Sequence, residues 1–106
     1  MNHTKELIEL AHQGNKEARD VLVMENMGLV YSIAKRFAGR GYDMEDITQI
    51  GTIGLIKAVR TFDCTKGNRL AAYAAKCIDN ELLMAMRNDR KRQLDVSLQE
   101  PIGTDR

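Results

Sequence analysis

Apolar side chains return every third or fourth residue along nearly the whole chain, a period that suits helices and not strands. Leu7, Ile8 and Ala11 share one side of a first helix, which Thr4 can cap and Gly14 stops. Asn15 is a good cap for a long second helix. In it Ala18, Leu22, Leu29, Val30, Ile33, Ala34 and Phe37 fall mainly at spacings of three and four. Gly28 costs that helix about 1 kcal/mol of propensity relative to alanine and marks a place for a kink. Gly39-Arg40-Gly41 ends it. Asp43 caps a third helix over 44 to about 60, with Glu45 and Asp46 in the turn where the helix dipole favours acids. Phe62 through Gly67 reads as a turn, and Asn68 as the cap of a fourth helix over 69 to about 88. After Gln93 the periodicity fails. The expectation is an all-α fold: a compact bundle of about four main helices over residues 1–92. Residues 93–106 follow as an extended tail or the start of a linker.

Composition narrows what such a bundle can do. A length of 106 residues supports one core, and 43% apolar with 29% charged residues is ordinary globular composition. One proline and no tryptophan leave little material for an all-β fold. No stretch approaches the roughly 18 apolar residues of a membrane span. Met1 to Glu6 lacks the basic-then-apolar layout of a secretory signal, so a cytoplasmic location is expected. Cys64 and Cys77 have no Cys-x-x-Cys spacing and no neighbouring histidines, which favours two reduced thiols over a disulfide or a zinc site. Gly51-Thr52-Ile53-Gly54 lies in a helical pattern and lacks the lysine of a phosphate loop. No acid–base or nucleophile arrangement emerges, so neither an enzyme nor a cofactor is expected.

Charge is distributed unevenly. Residues 1–34 carry a net −2, residues 35–92 a net +5 and residues 93–106 a net −2. A basic middle between acidic ends permits a polyanion partner without proving one. Splitting the later helices into faces sharpens this. On the third, the core side is Ile47, Gly51, Gly54, Leu55, Ala58 and Phe62. The opposite side carries Asp46, Gln49, Ile50, Ile53, Lys57 and Arg60, an apolar pair inside a polar rim. That is either a protein docking face or a pair packed under the first helix. On the fourth, the core side is Ala71, Ala74, Ala75, Ile78, Leu82 and Ala85, and the opposite line is Arg69, Tyr73, Lys76, Asn80, Leu83 and Arg87. Cations neutralise phosphates, a tyrosine face stacks on an unpaired base and an asparagine pairs with a base edge. A plain polar outer face is the competing reading. An aromatic lying among cations favours nucleic acid.

Three segments carry a resemblance. Asn26 through Gly41, Asp46 through Val59, and Phe62-Asp63 through Gly67 are similar to the second region of sigma-70 class sigma factors of bacterial RNA polymerase. Ile50 through Ala58, Tyr73 through Met84 and Val96 through Gly103 most resemble the sporulation group, in particular its mother-cell members. The resemblance covers about residues 16–103. It implies a domain that docks on the clamp coiled coil of the polymerase largest subunit and recognises the non-template strand of the promoter minus-ten element as it opens. An anti-sigma factor is a further implied partner, and no membrane is.

By position, the resemblance puts polymerase docking on Asp46, Gln49, Thr52 and Ile56, with Ile50 and Ile53 beside them. It puts a flipped adenine against Tyr73, with Phe62 and Lys66 near the pocket, and an upstream-base reader at Asn80. Backbone contacts fall on Arg69, Lys76 and Arg87, and a second flipped base near Asn26 and Leu29. Lys76 and Cys77 stand where housekeeping members carry a tryptophan wedge, and Asn68 and Leu70 replace two further aromatics. Fewer rings imply weaker melting and stricter promoter demands. Ile50 stands for a glutamate and Gly28 for an arginine. The alternative is a truncated sigma-like interaction module that occupies the polymerase site or binds an anti-sigma factor without using DNA.

Overall fold

The computed structural model describes the backbone over residues 3–39 and 41–99, and side chains as far as Asp89. Five α-helices account for most of it: α1 (His3–His12), α2 (Lys16–Glu25), α3 (Met27–Ala38), α4 (Met44–Thr61) and α5 (Leu70–Gln99). A single 3-10 turn, Cys64–Lys66, lies between α4 and α5. Among the described residues there is no strand, and no helix is long and apolar enough to cross a membrane.

The long helix expected over 15–37 is two helices. Asn15 does cap it: its side chain accepts from the Ala18 amide at 3.0 Å. The break falls at Asn26, two residues before Gly28. There φ −110° and ψ 9° leave the helical region, and the Asn26 side-chain amide donates to the Leu22 carbonyl at 2.8 Å. An asparagine that satisfies a helical carbonyl with its own side chain offers the backbone a way out of the helix. Gly28 itself sits inside α3, with open space where a Cβ would be.

Other helix ends also differ from expectation. Thr4 lies in the first turn of α1 instead of capping it. Asp43 holds the cap position of α4, where its carbonyl accepts from the Ile47 amide at 3.0 Å, but its side chain makes no cap hydrogen bond. Arg69, not Asn68, is the last residue before α5, and its carbonyl accepts from the Tyr73 amide at 3.1 Å. The extended stretch expected after Gln93 is helical through Gln99. Once a helix is nucleated each further residue adds a bond, and the first strong breaker is Pro101, which disfavours helix in the residue before it. Residues 100–106, where the rest of the expected tail lies, are outside the described residues.

α4 is the central rod, contacting α1, α2, α3 and α5. Its buried residues are Ile47, Gly51, Gly54, Leu55, Ala58 and Val59, with Phe62 just beyond. Except for Val59, that is the face the spacing predicts. The two glycines set how closely the neighbours approach. A Cβ on Gly54 would stand 2.9 Å from both the Cys77 carbonyl oxygen and the Ile78 Cα. One on Gly51 would stand 3.0 Å from Val30 Cγ1. On α5 the buried line is Leu70, Ala74, Ile78 and Leu82. Ala71, assigned to the core side, is exposed, because the face turns slightly toward Leu70. Two longer-range ties fix α1: the His12 Nε2 donates to the Val59 carbonyl at 3.0 Å, and His3 meets Glu25 at 3.3 Å.

Gly54→Ala is expected to destabilise the fold by about 1–3 kcal/mol, because backbone and not a flexible side chain blocks the new methyl. Gly28→Ala, with room around it, is expected to stabilise by about 0.5–1 kcal/mol. Thermal melts followed by circular dichroism would show the two midpoints moving in opposite directions.

Candidate nucleic-acid interface

The site begins with the turn that joins α4 to α5. Phe62 leaves α4 in an extended conformation and points inward at 5% exposure. Asp63 then folds the chain back. Its Oδ1 accepts from the Thr65 amide at 2.9 Å and from the Thr65 hydroxyl at 2.6 Å. These two bonds, the hydroxyl first, hold the Asp63 carboxyl below its ordinary value of 3.8. Gly67 closes the turn at φ +73°, a left-handed conformation that glycine adopts without a Cβ penalty. Lys66, Asn68 and Arg69 project from this turn, all exposed.

The stripe on α5 has the expected composition. Lys76, Asn80 and Arg87 are exposed, as is Leu83 at 46%. Among the described residues no carboxylate forms a salt bridge with Arg69, Lys76 or Arg87, while Lys66 lies close enough to Asp63 to help hold its carboxyl charged. Tyr73 is half-buried. Its ring lies 5.6 Å from Phe62 at a tilt of 48°, and its hydroxyl meets the Thr61 hydroxyl at 2.7 Å. Phe62, expected both on the core side of the third helix and near the Tyr73 pocket, is buried and stands behind Tyr73. A shallow hollow of about 90 Å³ lies against Tyr73, with Asn68, Ala72 and Lys76 around it.

A larger cleft of about 510 Å³ opens beside the turn. Asn26, Phe62 and Arg69 meet there with Asn68, although they come from three separate parts of the chain. Thr4 and Lys5 of α1 and Glu25 of α2 also line it, with Cys64, Leu70 and Ala71. Leu29 is half-buried against the core and is not part of this lining, and Lys66 stands apart from it in solvent. Sequence reasoning passed over Thr4, Lys5, Glu25 and Thr61. No period along the chain places α1 beside the start of α5, whereas Thr61 carried a usable signal, being the hydroxyl next to Phe62.

On α4, Asp46 and Gln49 are exposed and Ile53 is 47% exposed. Thr52, Ile50 and Ile56 are half-buried. The Thr52 hydroxyl turns inward, donating to the Thr48 carbonyl at 2.8 Å and lying 3.9 Å from Met27 Sδ. Ile50 shares a groove with Leu82, Ala85 and Met86, so it packs beside α5 and not under α1. The outward face is thus Asp46, Gln49 and Ile53. Below it, Lys57 spans to Glu81 of α5 at 3.1 Å.

Comparison with known proteins agrees with this architecture. The Sigma-70 region 2 family model matches residues 22–92, and the chain belongs to that family. Similar proteins include the RNA polymerase sigma-28 factor of Bacillus thuringiensis subsp. kurstaki, 48% identical over 102 residues covering 96% of this chain and 43% of that one. The sigma-E factor of Clostridium acetobutylicum is 42% identical over 100 residues, 94% of this chain and 43% of the relative. The sigma-K factor of Bacillus subtilis is 45% identical over 80 residues, 76% of this chain and 27% of the relative. Sporulation sigma factors are among these relatives, as the resemblance implied. The chain spans less than half the length of each of these three relatives.

The Asp63 carboxyl should titrate below 3.8 in a carbon-detected NMR titration. A depressed folded value means that the turn is fully supported above the ordinary pKa and loses this support as pH falls through the folded one. Thr65→Val, which removes the hydroxyl donor, should move the titration back toward the ordinary value.

Proposed function

We propose that this domain serves a sigma factor in promoter recognition. The outer face of α4 docks on the clamp coiled coil of the RNA polymerase largest subunit. The α4–α5 turn and the α5 stripe receive the non-template strand of the minus-ten element. Polymerase performs the chemistry, so the chain acts by binding and not as an enzyme. The setting is the bacterial cytoplasm, and an anti-sigma factor is a further partner of the same faces.

The observation that carries this reading is the arrangement around Tyr73. A half-buried ring, backed by Phe62, has Arg69 one turn before it and Lys76 one turn after it, and Arg87 continues the stripe about four turns further along α5; among the described residues no carboxylate forms a salt bridge with any of the three. A structural outer face has no need of unpaired cations around a fixed aromatic. A single strand needs both, for phosphate and for stacking. Asn80, about two turns beyond Tyr73 on the same stripe, offers an amide to a base edge. Asn26 and Arg69, meeting in the larger cleft, supply donors for a second unstacked base. Unstacking costs a few kcal/mol per base, which stacking and edge contacts must return. On α4, an isoleucine ringed by Asp46 and Gln49 supports a protein interface separate from the nucleic-acid side.

Tyr73→Ala is expected to weaken binding of a single-stranded minus-ten oligonucleotide by about 1–3 kcal/mol, and Asn80→Ala to relax base preference, while capture of the clamp coiled coil is unchanged. Ile53→Glu and Gln49→Ala are expected to do the reverse, weakening capture with no change in melting temperature. A lowered melting temperature with normal capture would place Ile53 in a structural role. Each strand phosphate held by Arg69, Lys76 or Arg87 contributes about 0.7 to the slope of log affinity against log salt. Each alanine replacement should reduce that slope by one such step, measured by fluorescence anisotropy across a salt series.

A further inference from the structure

The last residue of α4 bears on how Tyr73 is held. The Thr61 hydroxyl donates to the Lys57 carbonyl at 2.9 Å. Its one proton is thereby committed, so in the 2.7 Å contact with Tyr73 the phenol is the donor and Thr61 the acceptor. The bond links the end of α4 to the first turns of α5, across a turn that Asp63 already closes. Phe62 stands against the ring at 5.6 Å. The tyrosine is thus pinned at its hydroxyl by Thr61 and braced along its side by Phe62. The hollow shared with Asn68 and Lys76 lies open against it.

We infer that Thr61 is a positioning residue for single-strand binding: its hydroxyl fixes the orientation in which Tyr73 is offered to an unstacked base. This rests on the reading of Tyr73 as a stacking platform. A ring free to turn about its side-chain bonds must be ordered when the base arrives, and that cost weakens binding. Thr61 touches no base itself; it removes this cost beforehand.

The test uses the whole chain, alone and with core RNA polymerase. The probe is a short thymidine oligonucleotide carrying one 2-aminopurine, whose fluorescence falls when it stacks on an aromatic ring. The unaltered chain is expected to bind and quench, and Tyr73→Ala to lose both. Thr61→Val and Tyr73→Phe each remove the same hydrogen bond, from opposite ends. Each should weaken binding about fivefold, the scale of one neutral hydrogen bond, and raise the residual fluorescence of the bound probe. The double variant should be no worse than either single one, and Thr61→Ser should restore both readouts. Normal binding and quenching by Thr61→Val, with Tyr73→Ala defective, would overturn the role of Thr61 and leave the platform standing. Additive losses in the double variant would overturn it as well. If Tyr73→Ala binds and quenches as the unaltered chain does, or if the unaltered chain does neither, the platform fails and the inference with it. Should Thr61→Val fold poorly, Tyr73→Phe and Thr61→Ser carry the comparison.

Discussion

The close approach of α4 and α5 at Gly54 is the constraint on which the rest depends. Backbone atoms of Cys77 and Ile78 occupy the space that any side chain at position 54 would need. That spacing brings Lys57 within reach of Glu81 at one level and Thr61 within reach of Tyr73 at another. It also leaves room below for Ile78 and Leu82 to bury completely. Interiors at this density do not yield to an added methylene without shifting the elements around it. A wider spacing would loosen the core and the aromatic platform together, since both hang from the same pair of rods.

The site is correspondingly composite. α5 supplies the cations and the ring, the end of α4 supplies the ring's supports, and the intervening turn supplies Asn68 and Arg69. The break at Asn26 brings a side-chain amide from the other side of the bundle to the cleft. None of these groups is deeply buried apart from Phe62. The faces on α4 and α5 differ in kind. One offers an isoleucine with polar neighbours, the other a run of uncompensated positive charge.

Much of this was legible in the residues. The core face of α4 followed from spacing, because that helix is long and punctuated at both ends; on α5 the spacing gave Ala74, Ile78 and Leu82 but missed Leu70 and included Ala71, which is exposed, and Ala75 and Ala85, which are half-buried. The stripe from Arg69 to Arg87 followed from spacing as well. Four features did not. The break at Asn26 rests on a side chain bonding back to Leu22, a choice that propensity weighs poorly against a strong apolar period on both sides. The continuation of α5 past Gln93 reflects propagation from a long stable helix, while the apolar pattern that normally announces a helix had already faded. The half-buried setting of Thr52 and Ile50 came from neighbours on α3 and α5, which a face drawn on one isolated helix leaves out. The cleft was the least legible part, since Thr4 and Arg69 lie far apart in sequence and only the packing of α1 unites them.

That packing has a consequence for the order in which the molecule comes apart. α1 contributes a single fully buried side chain, Ile8, and otherwise relies on half-buried Leu7 and Ala11, on the bond from His12 to the Val59 carbonyl and on the exposed contact of His3 with Glu25. The hairpin of α4 and α5 is held by local contacts along its length. Stability is distributed so that the least supported element opens first. Amide exchange on α1 should therefore outrun exchange on the hairpin. Each such excursion would lift the Thr4 and Lys5 wall from the cleft and leave the tyrosine platform undisturbed, giving the bundle a hinged door beside a fixed bench.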